Sequence, residues 1–343
     1  MNPTTGPTEP RAPELLNRAI RAQQLHSEPR HVRELVDRMW ARPSGDWTSP
    51  SGKSSRQKAL ELAWTGARQF QAMAGGATTL KEVTKNLDEA STHFRAASLQ
   101  RFRGPSFEGD AVLCDAWRGA RMFLATGSTK GAALLARAQR SAAQECGRYQ
   151  RITVDLWSLV ANPDGIPLER RIETLAGCKQ ELDSEPGDDP ERAAALRGWS
   201  QLVQGNVLLA RLEHDSGRST HPGLTRSAAA HADGAAAEYR SIGVRSAEAE
   251  ALSLRAAVAR VGGDEDGALT HLTAAIDTAP DSVASGHARI ARARVLRSRG
   301  RAAESIRDLL EAVPVFELHE HADGAGRARR LLSDARAAFG TAR

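Results

Sequence analysis

Apolar residues along this chain recur with the period of helices rather than strands. Ala90, Phe94 and Ala97 stand at i, i+4 and i+7, the spacing of one buried helix face. Segments of this kind, punctuated by glycine and proline, predict helices at about 14–26, 30–41, 57–74 and 79–103. Further helices are expected at about 111–126, 130–146, 148–161 and 167–183, separated by Gly127, Gly147 and Pro163-Asp164-Gly165. The sharpest break is Ser184-Glu185-Pro186-Gly187-Asp188-Asp189-Pro190. It supplies an N-cap and a first-turn proline to a helix at about 190–214. Beyond His221-Pro222-Gly223 the pattern predicts helices at about 224–242, 245–261, 264–278, 282–299, 301–312 and 320–338. No segment alternates as a strand would, so the expected fold class is all-α.

Near the C-terminus the chain matches itself at a spacing of 34 residues. Ala257, Ala259, Arg260, Val261, Ala268 and Pro280 are repeated as Ala291, Ala293, Arg294, Val295, Ala302 and Pro314. Apolar Leu272 and Ile276 fall on Ile306 and Leu310. A fixed period of this size marks stacked helical hairpins, because one hairpin cannot bury its apolar face alone. The expectation is an α-solenoid of stacked antiparallel hairpins, less regular in the N-terminal half. The aromatics support that division: all six tryptophans lie at or before Trp199, and beyond it stand only Tyr239, Phe316 and Phe339. The predicted organisation is a tail at 1–13, an irregular hairpin region at 14–185, and a regular solenoid at 186–343 closed by a capping helix.

Composition narrows the function classes. The chain has 343 residues, with 47 Lys and Arg against 42 Asp and Glu, a net charge of +5 that supports only weak general attraction to anions. Cys114, Cys146 and Cys178 lack the close spacing of a disulfide framework or zinc site and are expected to be reduced, buried small hydrophobes. The proline-rich first 13 residues do not read as a secretory signal, and no run is long enough to span a membrane. A cytoplasmic protein is the expectation.

Over about residues 240–335 the chain resembles tetratricopeptide (TPR) repeats. That family favours Ala, a bulky residue, Ala and Pro at repeat positions 20, 24, 27 and 32. Here those positions read Ala268, Leu272, Ala275 and Pro280, then Ala302, Ile306, Leu309 and Pro314. Tyr239-Arg240-Ser241-Ile242-Gly243 and the following Glu248-Ala249-Glu250-Ala251-Leu252 are similar to repeats of actinobacterial signalling regulators. Departures are Ala259 and Ala293 at the aromatic position 11, and Ala256 and Ile290 at the glycine position 8, which Gly324 does fill. The resemblance implies a concave surface lined by the first helix of each hairpin that binds a peptide or protein. Mapped here, the lining residues are Arg260, His287, Arg294, His321 and Arg329, a set suited to a carboxylate or phosphate group because arginine offers both a bidentate fork.

Other constellations carry less. Gly52-Lys53-Ser54 echoes a phosphate-binding loop, but Trp47 stands where its first glycine is required. His319-Glu320-His321 lacks the i, i+4 spacing of a helical metal pair, and Asp264-Glu265-Asp266-Gly267 suits a helix start better than a calcium loop. No cofactor or metal is expected. Two arginine-rich stretches, Arg95 to Arg121 and Arg289 to Arg301, pose a nucleic-acid reading, which is disfavoured because the second lacks aromatic neighbours for base stacking. The leading expectation is a non-enzymatic protein- or peptide-binding scaffold or regulatory module, monomeric or weakly dimeric, with an acidic partner. The alternative is a small-molecule sensor or enzyme whose pocket is lined by Trp64, Trp117 and Trp157.

Overall fold

The computed structural model describes residues 80–99, 108–161, 166–184, 190–215, 221–319 and 321–341. The expected tail, the helices expected before residue 79, Gly52-Lys53-Ser54 and Trp40, Trp47 and Trp64 lie outside the described residues. Twelve α-helices and no strand occupy the described part. They are α1 (Leu80–Ser98), α2 (Glu108–Thr126), α3 (Thr129–Glu145), α4 (Arg148–Ala161), α5 (Leu168–Ser184) and α6 (Pro190–Asp215). There follow α7 (Pro222–Ser241), α8 (Arg245–Val261), α9 (Glu265–Thr278), α10 (Val283–Ser298), α11 (Ala302–Leu318) and α12 (Ala322–Thr341). Within each unit, apart from α5, successive helices pack side by side across short connections, which makes an all-α, TPR-like arrangement of antiparallel hairpins. The chain divides within α5, at Thr174, into two compact units. Among the described residues no helix is long and apolar enough to cross a membrane.

In the first unit α2 is the central helix, packed against α1, α3 and α4. Ala111, Val112, Leu113, Cys114, Ala116, Trp117 and Ala120 are all buried, so α2 is covered nearly all round. Its crossing with α3 needs glycine on both helices. A Cβ on Gly119 would sit 2.8 Å from the Gly131 carbonyl oxygen, and a Cβ on Gly131 would sit 2.8 Å from that of Gly119. The Asp115 carboxylate is buried there, 2.6 Å from Arg95 and 3.9 Å from both Arg118 and Arg137.

The second unit is built from two layers. Helices α6, α8, α10 and α12 pack on one another in sequence, whereas no comparable packing links α7, α9 and α11. The first set is therefore the inner layer and the second the outer. Three inner-to-outer or outer-to-inner turns share one chemistry. In each a glycine adopts positive φ: Gly243 at 71°, Gly263 at 81° and Gly300 at 74°. Their amides donate to the carbonyls of Arg240, Arg260 and Arg297, and the next residues' amides donate to Tyr239, Ala259 and Leu296. These are Schellman closures, which place a basic residue in the last helical turn, where it complements the helix dipole.

The structural step is longer than the 34-residue sequence match. Gly263 and Gly300 are 37 residues apart, as are the helix-starting residues Asp264 and Arg301. Buried Ala268, Leu272 and Ala275 of α9 correspond to Ser305, Leu309 and Ala312 of α11 at the same spacing. The two registers differ by three residues, nearly one helical turn, so both place apolar residues on the same face. Ala293 and Leu296 are accordingly both buried, and either matches Ala259. One consequence is Leu310, which the sequence match sets opposite buried Ile276 yet which is 46% exposed.

The second difference lies at Pro314. The proline predicts a helix ending near residue 312, but α11 continues through it to Leu318. Proline deprives the Leu310 carbonyl of its helical donor. Leu310 and Pro314 are both exposed, so water can replace that donor, while Val315 and Phe316 beyond are buried and hold the last turn in place.

One buried ion pair ties three helices of this unit. Arg292 on α10 donates through Nε and Nη2 to the two carboxylate oxygens of Asp308 on α11, at 2.8 and 2.7 Å, and through Nη1 to Thr273 Oγ1 on α9 at 3.0 Å. Asp308 is 3% exposed, and its hold raises the Arg292 pKa above the ordinary arginine value. Replacing Arg292 by Met strands a buried carboxylate and should cost about 3–5 kcal/mol of stability. Gly119→Ala should cost about 1–3 kcal/mol by forcing α2 from α3. Urea unfolding of each variant checks both; an unchanged midpoint would contradict the packing described.

Candidate functional site

The inner faces of α8 and α10 carry a stripe of half-buried and exposed positions. Ser253, Ala257 and Arg260 form the stripe on α8, and His287, Ala291 and Arg294 form it on α10, each at i, i+4 and i+7. Arg260 bridges to Glu213 of α6 at 3.3 Å, which fixes this face as the one shared by the inner helices. Arg294 has no such carboxylate among the described residues. Its pKa is lowered, first by burial and then by the positive charges of Arg327, Arg297 and Arg260. Arg294 and Arg297 border a shallow depression floored by Ile290, Ala293, Ser305, Leu309 and Leu331. Neither Arg297 nor Arg327 is paired with a carboxylate among the described residues. The inner layer therefore concentrates three uncompensated arginines, with Arg260 at their edge.

The neighbouring arginines are neutralised by the chain's own acids. Arg289 meets Glu311 at 3.4 Å, Arg292 is held by Asp308, Arg299 reaches Glu265 at 3.3 Å and also Asp266, and Arg301 binds Glu304 at 2.6 Å. In the other arginine-rich stretch Arg95 and Arg118 are paired with Glu108, Asp115 and Asp88, Arg121 is exposed, and Arg101 and Arg103 lie outside the described residues.

The remaining sequence-selected residues fall into separate places. Arg329 lies on α12 but is ion-paired with Glu317 of α11; Arg327, two residues earlier, is the α12 arginine whose charge acts on Arg294. His287 and His321 come together, with ring centroids 5.5 Å apart, and both touch Phe316, at 4.9 and 5.4 Å. Phe316 fits only because Gly286 and Gly324 have no Cβ: one would lie 2.8 and 2.5 Å from its ring atoms. His321 Nδ1 accepts the Gly324 amide at 3.0 Å and caps α12, so its proton sits on Nε2. The similar His231-Ala232-Asp233-Gly234 lies inside α7 instead. Asp264 caps α9 by accepting the Gly267 amide at 2.8 Å.

Trp117 is 5% exposed and stacks on Trp157 with centroids 5.5 Å apart, so the two rings cover each other between α2 and α4. Trp64 lies outside the described residues. The three cysteines are free. Burial pushes Cys114 well above the ordinary thiol range and Cys146 up to about 12, with the Asp110 charge adding in both. Among the described residues no three His, Cys, Asp or Glu side chains converge as a metal site would require.

Arg327 was not singled out from sequence and Arg297 only as part of the stretch Arg289 to Arg301, although a signal for its inner-face place is present there. Arg240, Arg260 and Arg297 each precede a turn glycine by three residues, at Gly243, Gly263 and Gly300. Aligning those glycines sets Arg260 against Arg297 rather than Arg294. Arg327 carries no such marker, because its role depends on how α12 rests on α10.

No protein-family profile matches the chain, and no curated protein matches its sequence. Among solved structures it is similar to a Rap protein complexed with competence and sporulation factor. That alignment has a TM-score of 0.47 and 12% identity over 97% of this chain and 99% of the other. The TPR2AB domain of yeast Sti1, in complex with pHSP90, aligns over 81% of this chain and 98% of its own, with a TM-score of 0.25 and 15% identity. The likenesses are loose, and the architecture rests on the chain's own helix packing.

Two outcomes follow from this geometry. Arg294→Gln removes a repelled, unpaired charge and should leave the melting temperature unchanged or slightly raised, in contrast to loss of Arg292; a clear fall would mean Arg294 has a stabilising partner. Cys146 should react slowly with a disulfide reagent at pH 7.5, because reaction needs the thiolate and its pKa is held at about 12. Rapid native-state labelling of half-buried Cys146, read by mass spectrometry, would contradict its raised pKa.

Proposed function

We propose that this chain is a non-enzymatic, TPR-like scaffold or regulatory module that binds an acidic segment of another protein across the inner face of its second unit. The observation that carries this reading is the contrast among arginines. Arg289, Arg292, Arg299 and Arg301 are each satisfied by an acid of the same chain, while Arg294, Arg297 and Arg327 gather on the inner layer without one. A folded protein gains nothing internally from three mutually repelling cations, whereas a partner's carboxylates or phosphates would relieve the repulsion with bidentate hydrogen bonds. Arg260, His287 and His321 extend the same surface, and Arg329 contributes at its margin after leaving Glu317. The alternative of a ligand pocket in the first unit is supported less, because Trp117 and Trp157 stack on each other. We take the molecule as a monomer or weak dimer, since α12 presents exposed Arg327, Arg329, Arg330 and Arg336.

An array of acidic and basic peptides probed with the full chain tests the reading. Acidic peptides should be retained and basic ones not, and Arg260→Glu with Arg294→Glu should weaken retention by at least about tenfold, equivalent to roughly 1.4 kcal/mol. Retention that ignores the double substitution would remove the assignment of this face.

A further inference from the structure

The inner arginine cluster has more charge than a single carboxylate can satisfy. Arg294 and Arg297, on the last turns of α10, border the depression, and the charges of Arg260 at the end of α8 and of Arg327 on α12 act on Arg294 from either side. Among the described residues only Arg260 of these has an acid, Glu213, on an exposed bridge at 3.3 Å. Three positive charges are left over. Arg294 and Arg297 open onto one depression whose remaining lining is apolar apart from Ser305, and Ser305 already donates to the Ala293 carbonyl at 2.8 Å. The depression thus offers an incoming group cations at its rim and no competing acid. A carboxylate would cancel one charge and leave two arginines facing each other. A phosphoryl group carries about −1.5 to −2 charge and three acceptor oxygens, enough for forks from two arginines and a third contact.

Building on the acidic-partner reading, we infer that the anion seated at the depression bordered by Arg294 and Arg297, with the charge of Arg327 beside it, is the phosphoryl group of a phosphorylated side chain on a partner protein. A nucleic-acid backbone has the same oxygens but repeats them, and needs a line of free cations with stacking platforms nearby. The arginines that would continue the line, Arg289, Arg292, Arg299 and Arg301, are engaged by Glu311, Asp308, Glu265, Asp266 and Glu304. The depression itself is lined by aliphatic residues and contains no aromatic ring. A single compact cluster fits one phosphoryl group on an otherwise uncharged segment.

The test is calorimetric titration of the full chain with two capped tripeptides, alanine–phosphoserine–alanine and alanine–aspartate–alanine, at equal ionic strength. The phosphorylated peptide should bind at least about tenfold more tightly. Arg294→Gln combined with Arg327→Gln should abolish that difference, and Arg299→Gln, whose partners are Glu265 and Asp266, should leave it intact. Melting curves of the variants establish that they fold. Equal affinity of the two peptides, with both weakened by the double variant, would overturn the phosphoryl assignment while leaving the acidic-partner reading in place. Binding that ignores the double variant would overturn both, as would no binding of either peptide at millimolar concentration. A short single-stranded oligonucleotide that binds more tightly than the phosphopeptide and depends on Arg294 would overturn the protein partner in favour of a nucleic acid.

Discussion

Alanine at the helix interfaces is the constraint from which the second unit follows. Ala228, Ala232, Ala235 and Ala236 on α7, and Ala247, Ala249, Ala251, Ala256 and Ala259 on α8, are all buried. Each methyl removes little apolar surface from water, and the gain is only about 25 cal/mol per Å². A hairpin made this way is stable only when both its faces are covered, so the hairpins stack. Small side chains also bring the backbones close. Where a large ring enters, as Phe316 does, its neighbours must retreat to glycine at Gly286 and Gly324. The polar ties sit in the same interfaces. Arg292 and Asp308 join α10 to α11 with a planar fork, and Ser305 donates across them to Ala293.

Charge is distributed by layer. The outer helices supply most of the acids that hold arginines: Glu265 and Asp266 come from α9, and Glu304, Asp308, Glu311 and Glu317 from α11. Inner helices approach one another instead, which brings the last turns of α8 and α10 and the first turns of α12 toward a common region. Arg260 and Arg297 are locally favourable because each lies in the last turn of its helix, facing the dipole, whereas Arg327 near the start of α12 has no such support. Across helices they are unfavourable to one another, which is the conflict between local and global preference expected where a surface is kept for a partner. The inner layer is thus where arginines of adjacent hairpins face one another without an acid of the described chain between them.

The self-match at 34 residues was enough to read hairpins and their stacking, although the structural step between the α8–α9 and α10–α11 turns is 37. The two agree about faces because three residues are nearly one turn of helix. They disagree about partners: the match pairs Arg260 with Arg294, and the turns pair it with Arg297. Arg260 and Arg294 were legible as inner-face residues because helical periodicity alone sets which side they occupy. Arg329 was legible as an α12 residue, but its ion pair with Glu317 was not, since that depends on the approach of a neighbouring helix. His287 and His321 carried a visible spacing whose result, contact through Phe316, required the glycines on both sides to be seen in place.

Local physics therefore settled most of the helices and the turn glycines, where left-handed φ and the last-turn arginine are written within a few residues. It misjudged the end of α11, because proline's cost depends on whether the freed carbonyl reaches water and whether the next turn is held by packing. The convergence of Arg294, Arg297 and Arg327 was decided only by tertiary structure. Electrostatic neighbours are fixed by distance in space, and the residues that set those distances, Phe316 and Leu331 among them, belong to different helices.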